Sequence, residues 1–100
     1  MNHHLELSDH AEIRANQLGI KLETIELLMR FGASKCRGNG AEVIFMNKAA
    51  RQRALLTLGQ KYAAHEKQLN AFIVVSASGT VITCAHRTQR LRFKKTRQAA

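Results

Sequence analysis

The chain has 100 residues, 45% of them hydrophobic, and a formal net charge of +9. This length and composition exclude a multidomain protein and predict a single domain over residues 1–100, large enough to bury a core without disulfides. No apolar run approaches the roughly 20 residues of a membrane span and no signal peptide is recognisable, so we expect a cytoplasmic protein without membrane contact.

The positive charge is concentrated in the second half of the chain. Residues 1–47 contain five Lys/Arg and six Asp/Glu, whereas residues 48–100 contain eleven Lys/Arg and one Glu. A segment with this excess attracts polyanions through counterion release, which makes RNA or another nucleic acid the predicted partner. The alternative is a cationic surface that serves only solubility.

Two helices are predicted after a polar N-terminal tail of about residues 1–7. Ser8 is a suitable N-cap for the first helix, over about residues 9–17, which should stop by Gly19. Gly32 is placed to cap the second helix. The residues at helical spacing that we expect to pack on a sheet are Leu22, Ile25, Leu28 and Met29.

Two hairpins and a third helix are predicted next. The Asn39-Gly40 pair is typical of a tight hairpin turn, and a second turn spans residues 76–79. The expected strands cover residues 34–37, 41–46, 71–76 and 80–87, with a helix over about residues 48–63. The order ααββαββ predicts an α+β fold, with two N-terminal helices and one middle helix packed on a four-stranded antiparallel sheet.

The two cysteines, Cys36 and Cys84, have no metal-ligand spacing and are expected to be free, mostly buried thiols, with a disulfide as the alternative.

The last strand leads into a cationic segment that ends in a basic tail of about residues 94–100. Strand alternation predicts Ile82, Cys84 and His86 on one face, and Val81, Thr83, Ala85 and Arg87 on the other. If the chain stays extended, Arg90 and Arg92 share a face, while Leu91 and Phe93 point the other way and can pack against the rest of the domain. The predicted nucleic-acid contacts are Arg87, Arg90, Arg92, Lys94, Lys95, Lys48 and Arg51.

Metal-free RNA cleavage is the chemistry that the histidines and arginines would suit. It needs a base, an acid and cations around the phosphate, which imidazole and guanidinium supply at neutral pH. The candidates are His10, Arg14, His86 and Arg87, with Arg90 as a further cation. The structural alternative for His10 is a helix cap or a hydrogen bond to the sheet, and for His86 a half-buried strand position. No histidine pair has zinc-chelating spacing, so neither a metal nor a cofactor is expected.

The two ends of the chain resemble a small bacterial domain family of unknown function that is remotely similar to RelE/ParE-type toxins. The resemblance lies in the His-Ala-x-x-x-Arg pattern at His10, Ala11 and Arg14, the Gly19-Ile20 step, and the Gly-x-Val-x-Thr pattern at Gly79, Val81 and Thr83. It implies helices on a twisted antiparallel sheet, metal-independent RNA cleavage in the toxin branch, and a small acidic antitoxin as partner. Leu18 stands where such proteins often have arginine, and Phe93 lacks the hydroxyl of a tyrosine after the last strand.

Two main functions follow from these observations. The first is a RelE-like, toxin-type ribonuclease; the second is a non-catalytic nucleic-acid-binding module that uses the same cations only for phosphates. A protein-interaction domain is a third. The aromatic residues fall mostly on apolar stripes, so a base-stacking platform is not expected.

Overall fold

The computed structural model describes residues 5–87, which form four helices and four strands. The helices are α1 (Asp9–Leu18), α2 (Leu22–Phe31), α3 (Lys48–Leu58) and α4 (Lys61–His65). The strands are β1 (Ala33–Gly38), β2 (Ala41–Phe45), β3 (Ala71–Val75) and β4 (Val81–His86). The predicted α+β fold and its order are confirmed. The predicted third helix is divided into α3 and α4, because Gly59, at φ 60° and ψ −128°, leaves the helical conformation.

The four strands form one antiparallel sheet in the order β1-β2-β3-β4. Asn39 and Gly40 have φ values of 56° and 79°, which confirms the predicted tight turn between β1 and β2. The second turn is closed by a hydrogen bond from the Ser76 amide to the Thr80 carbonyl at 2.8 Å. Every strand therefore pairs with its neighbour in sequence, so the sheet is two hairpins joined by α3 and α4.

Residues of all four helices pack against one face of this sheet in a single hydrophobic cluster, which we call the core face. On α2, Ile25 and Leu28 are fully buried as predicted. Leu22 and Met29 are 55% and 37% exposed, so their predicted packing on the sheet is wrong. The helical period explains the difference, because the residues that share the buried face are Thr24, Ile25, Leu28 and Phe31.

The opposite face of the sheet, which we call the second face, has its own cluster of buried side chains. Val43, Phe45 and Val74 are its buried members. The partly buried residues packed against them are Ala33, Ala41 and Phe72. Every described residue of this cluster lies in a strand, whereas the core face is covered by helices.

Gly32, at the end of α2, lets the helix approach the sheet closely. It is the C-cap of α2 as predicted, and its amide donates to the Leu28 carbonyl, but its φ of −67° is open to any residue. A Cβ at this position would lie 2.5 Å from Cγ2 of Ile44 and 2.6 Å from the Leu28 carbonyl oxygen. The glycine is thus required by packing rather than by backbone conformation.

A bulge in β4 overturns the predicted alternation of its side chains. Val75 pairs with Val81 and Val74 pairs with Thr83, which leaves Ile82 as an extra residue. Val81 and Cys84 consequently both lie in the core-face cluster, although the sequence placed them on opposite faces. Ile82 is 38% exposed.

Residues at the two ends of the described chain meet at the free edge of β4. Leu7 forms a parallel bridge with Val81, and the Val81 amide donates to the Glu6 carbonyl at 2.8 Å. Glu6 and Leu7 of the predicted N-terminal tail therefore contact the edge of the sheet through a single bridge. No helix within residues 5–87 is long and apolar enough to span a membrane.

The two cysteines differ in exposure. Cys84 is buried on the core face, where its Sγ lies 3.9 Å from the Ala11 carbonyl oxygen. Cys36 is exposed on β1, which corrects the expectation that both thiols are buried.

Candidate nucleic-acid interface

Two arginines from distant parts of the chain meet around Asn70, and we call Arg51 and Arg87 the arginine pair. Arg51, one turn into α3, donates from Nη2 to Oδ1 of Asn70 at 2.6 Å. The backbone amide of Arg87, directly after β4, donates to the Asn70 carbonyl at 2.9 Å. Asn70 immediately precedes β3, so the β3–β4 hairpin and α3 together position both cations.

The Arg87 side chain extends across the second face of the sheet from β4 towards β2. Its Nη1 donates to the Met46 carbonyl at 2.7 Å, and its Cζ lies 5.3 Å from the centroid of the Phe45 ring. Burial lowers the pKa of Arg87, and the nearby Arg51 charge lowers it further. The guanidinium remains cationic at neutral pH because its pKa starts far above 7.

No carboxylate of residues 5–87 forms an ion pair with either member of the arginine pair. Nε2 of His65 and Oε2 of Glu23, which lie 3.6 Å apart, belong to other elements. Within residues 5–87, the positive charge of the arginine pair is therefore not neutralised by a carboxylate. Each guanidinium has five N–H donors and uses only part of them in the contacts above, so a phosphate oxygen can accept the rest.

Lys48 adds to this positive surface as the exposed first residue of α3. It lies three residues before Arg51 and so faces the same side of the helix. The first turn of α3 has no acidic residue, and Oδ1 of Asn47 accepts from the Ala50 amide at 2.8 Å. The predicted contacts Lys48, Arg51 and Arg87 thus gather near one end of the sheet.

The two predicted catalytic histidines are separated by the length of α1. Nε2 of His86 lies 2.6 Å from the carbonyl oxygen of Leu18, the last residue of the helix. His10 lies near its first residue, and eight residues of helix span about 12 Å. The structure therefore does not bring the two imidazoles to one phosphate-sized gap.

His10 instead contributes to a surface cleft of about 480 Å³ at the turn end of the sheet. Arg37 and Asn39 of the first hairpin line the cleft together with Ser76 and Thr83 of the second. No carboxylate lines it within the described residues. His10 and the arginine pair consequently belong to different parts of the molecular surface.

Arg14, the remaining predicted catalytic cation, lies on the core-face side of β4. Burial raises the pKa of the Cys84 thiol, and the charge of nearby Arg14 partly opposes this rise. Arg87, by contrast, contacts Phe45 on the second face. The two arginines therefore lie near different residues of the sheet, Arg14 near Cys84 and Arg87 beside Phe45.

Asn70 and Met46 are site residues that the sequence did not reveal. Asn70 could have been found from hairpin register, because pairing of Ala71 with His86 puts the preceding residue opposite Arg87. The role of Met46 depends on its carbonyl oxygen, which side-chain chemistry cannot indicate. The predicted contacts outside the described residues are Arg90, Arg92, Lys94 and Lys95.

Residues 5–87 contain no group of three or more His, Cys, Asp or Glu side chains placed to hold a metal ion. No protein-family model, curated protein or solved structure matches this chain. The resemblance to RelE/ParE-type toxins therefore stays a prediction from the sequence, and the function is inferred from the geometry of the surface.

Proposed function

We propose that this protein is a non-catalytic module that binds the phosphate backbone of nucleic acid. The observation that carries the proposal is the arginine pair, in which Arg51 and Arg87 are held on a shared Asn70 without a carboxylate partner in the described chain. Placing two cations side by side is electrostatically unfavourable in the free protein, and a bound phosphate would relieve that repulsion.

The binding module is favoured over the ribonuclease because of the separation of His10 and His86. Cleavage by the predicted mechanism needs one imidazole as base and the other as acid at the same phosphate. His86 is instead within hydrogen-bond distance of a backbone carbonyl at the far end of α1. The phosphate contacts need no such proximity.

Fluorescence anisotropy with a labelled single-stranded RNA and a DNA duplex, each over a series of salt concentrations, tests the proposal. The informative variants are Arg51→Gln, Arg87→Gln and the double variant. The matched control is Lys21→Gln with Lys61→Gln, which removes the same net charge from exposed positions at the N-cap of α2 and the first residue of α4. Thermal unfolding of each variant shows whether it is folded.

We expect the unsubstituted protein to bind with a Kd that rises steeply with salt. The double variant should weaken binding at low salt and reduce the slope of log K against log salt by about two, one for each lost phosphate contact. The control should change the slope by much less. An equal loss in the control, or no binding at low salt, would contradict the proposal. RNA cleavage that is lost in both His10→Ala and His86→Ala would restore the ribonuclease hypothesis.

A further inference from the structure

The second face of the sheet is buried, although no helix within residues 5–87 packs against it. Val43 and Phe45 are each 7% exposed and Val74 is 4% exposed. The described residues of this cluster all come from the strands, and the helices pack in the other cluster. Side chains of one sheet layer cannot bury one another to this degree, because a sheet face needs a second layer to exclude water.

The side chain of Arg87, the residue that follows β4, lies on this same face. Arg87 already crosses it, with its guanidinium beside the Phe45 ring and its Nη1 bonded to the Met46 carbonyl. Thirteen residues follow Arg87 in the sequence. The six residues to Phe93 span about 20 Å when extended, whereas the four strands are only about 14 Å across. The segment up to Phe93 is therefore long enough to cross the full width of the second face.

The sequence after Arg87 has the pattern of a strand that covers an apolar surface. Leu91 and Phe93 alternate with Arg90 and Arg92, so an extended chain turns the two apolar side chains to one side and the two cations to the other. We propose that the second face is the docking site of the chain's own C-terminal segment, residues 88–100, with Leu91 and Phe93 against the cluster.

A second copy of the protein is the competing occupant of this face. The segment is tethered to the end of β4, which gives it an effective concentration in the millimolar range for a short linker. A second copy at micromolar concentration lacks that advantage and brings a further net charge of +9. The tether thus favours the protein's own segment, and this inference does not depend on nucleic-acid binding.

NMR on the full chain, with the methyl groups of valine and leucine and the rings of phenylalanine labelled, tests the docking directly and without any variant. We expect nuclear Overhauser contacts between the Phe93 ring and the methyl groups of Val43 and Val74, present within one molecule. Contacts seen only between differently labelled molecules would assign the face to a second copy and overturn the proposal. Absence of any contact from Phe93 or Leu91 to the second face would overturn it as well.

A pair of double variants gives an independent measurement. Leu91→Ser with Phe93→Ser should lower the midpoint of thermal unfolding by about 10 °C or more, because it removes two apolar side chains from a covered surface. The matched control is Ile13→Ser with Leu56→Ser, at positions that are 55% and 78% exposed. A midpoint that falls no further than in the control would refute the docking. A failure to bind nucleic acid would leave both measurements unaffected.

Discussion

Replacing Asn70 by aspartate should convert the arginine pair from an anion site into an internally neutralised cluster. The substitution preserves the shape of the side chain and adds one negative charge. Oδ1 of Asn70 already accepts from Nη2 of Arg51 at 2.6 Å, so the new carboxylate needs no rearrangement. Arg87, whose backbone amide is bonded to the Asn70 carbonyl, lies beside the same charge.

The expected loss of affinity follows from the distance between the two anions. A phosphate oxygen bound by the pair would lie about 3 Å from a guanidinium nitrogen, which leaves about 5–6 Å between phosphate and carboxylate. Coulomb repulsion at that distance is about 0.8 kcal/mol at the dielectric constant of water and about 3 kcal/mol at an effective value of 20. Arg51 and Arg87 are both half-buried residues, so we expect an intermediate loss of about tenfold in Kd.

The assay is nucleic-acid binding by anisotropy at low salt, compared across three variants. Asn70→Asp should weaken binding about tenfold and flatten the salt dependence, while Asn70→Ser, which loses the hydrogen bond without gaining charge, should stay within about twofold. Asn39→Asp makes the same change of net charge on the exposed β1–β2 turn and serves as the control. If the substitutions at positions 39 and 70 weaken binding equally, overall charge rather than the arginine pair governs affinity.

Three further predictions concern packing, ionisation and capping. Gly32→Ala should lower the free energy of unfolding in urea by about 2 kcal/mol, since its methyl group would lie 2.5 Å from the Ile44 side chain. Gly79→Ala is the control: no atom lies near its added methyl group, so at φ 94° it should lower the free energy of unfolding only by the backbone strain of about 1 kcal/mol. Cys36 should react at once with a thiol reagent and Cys84 only on unfolding. The pKa of Cys84 is raised in the folded state, so its contribution to stability is present below the unfolded thiol's pKa of about 8.5 and is lost as pH rises through the folded value. In urea unfolding, the free energy of unfolding should therefore fall between neutral and alkaline pH. Cys84→Ala should remove this pH dependence. Ser8→Ala should destabilise the protein by about 1–2 kcal/mol in the same urea assay, because its hydroxyl both caps α1 and donates to β4; a loss below about 0.5 kcal/mol would contradict this role.

Local signals were sufficient to predict the four strands, the first two helices and their order, but not the division of the third helix into α3 and α4. Gly19 ends α1 at φ 71°, and Asn39-Gly40 forms the first turn, because both depend on backbone conformations that few residues adopt. The extra residue at Ile82 has no comparable local signal. Its bulge follows from how β4 pairs with β3, so a strict alternation of side chains could not anticipate it.

The candidate site was predictable in its chemistry but not in its geometry. The charge asymmetry pointed to Lys48, Arg51 and Arg87 as phosphate contacts, and these residues do share one end of the sheet. Which of them would meet depends on how α3 packs relative to the β3–β4 hairpin, which no short stretch of sequence encodes. For the same reason, the sequence could not show that His86 contacts the end of α1 opposite to the one that carries His10.

The packing of α1 on β4 has a consequence for how the chain folds. The hydrogen bonds from the Ser8 hydroxyl to Ile82 and from the Cys84 thiol to Ala11 join residues 74 and 73 positions apart. Contacts between residues so far apart in sequence form late in folding, because closing the long loop between them costs chain entropy before the contact stabilises anything. During synthesis on the ribosome, α1 can pack on β4 only after residues 81–86 have emerged. We therefore expect that no nascent chain ending before β4 holds α1 in its native position.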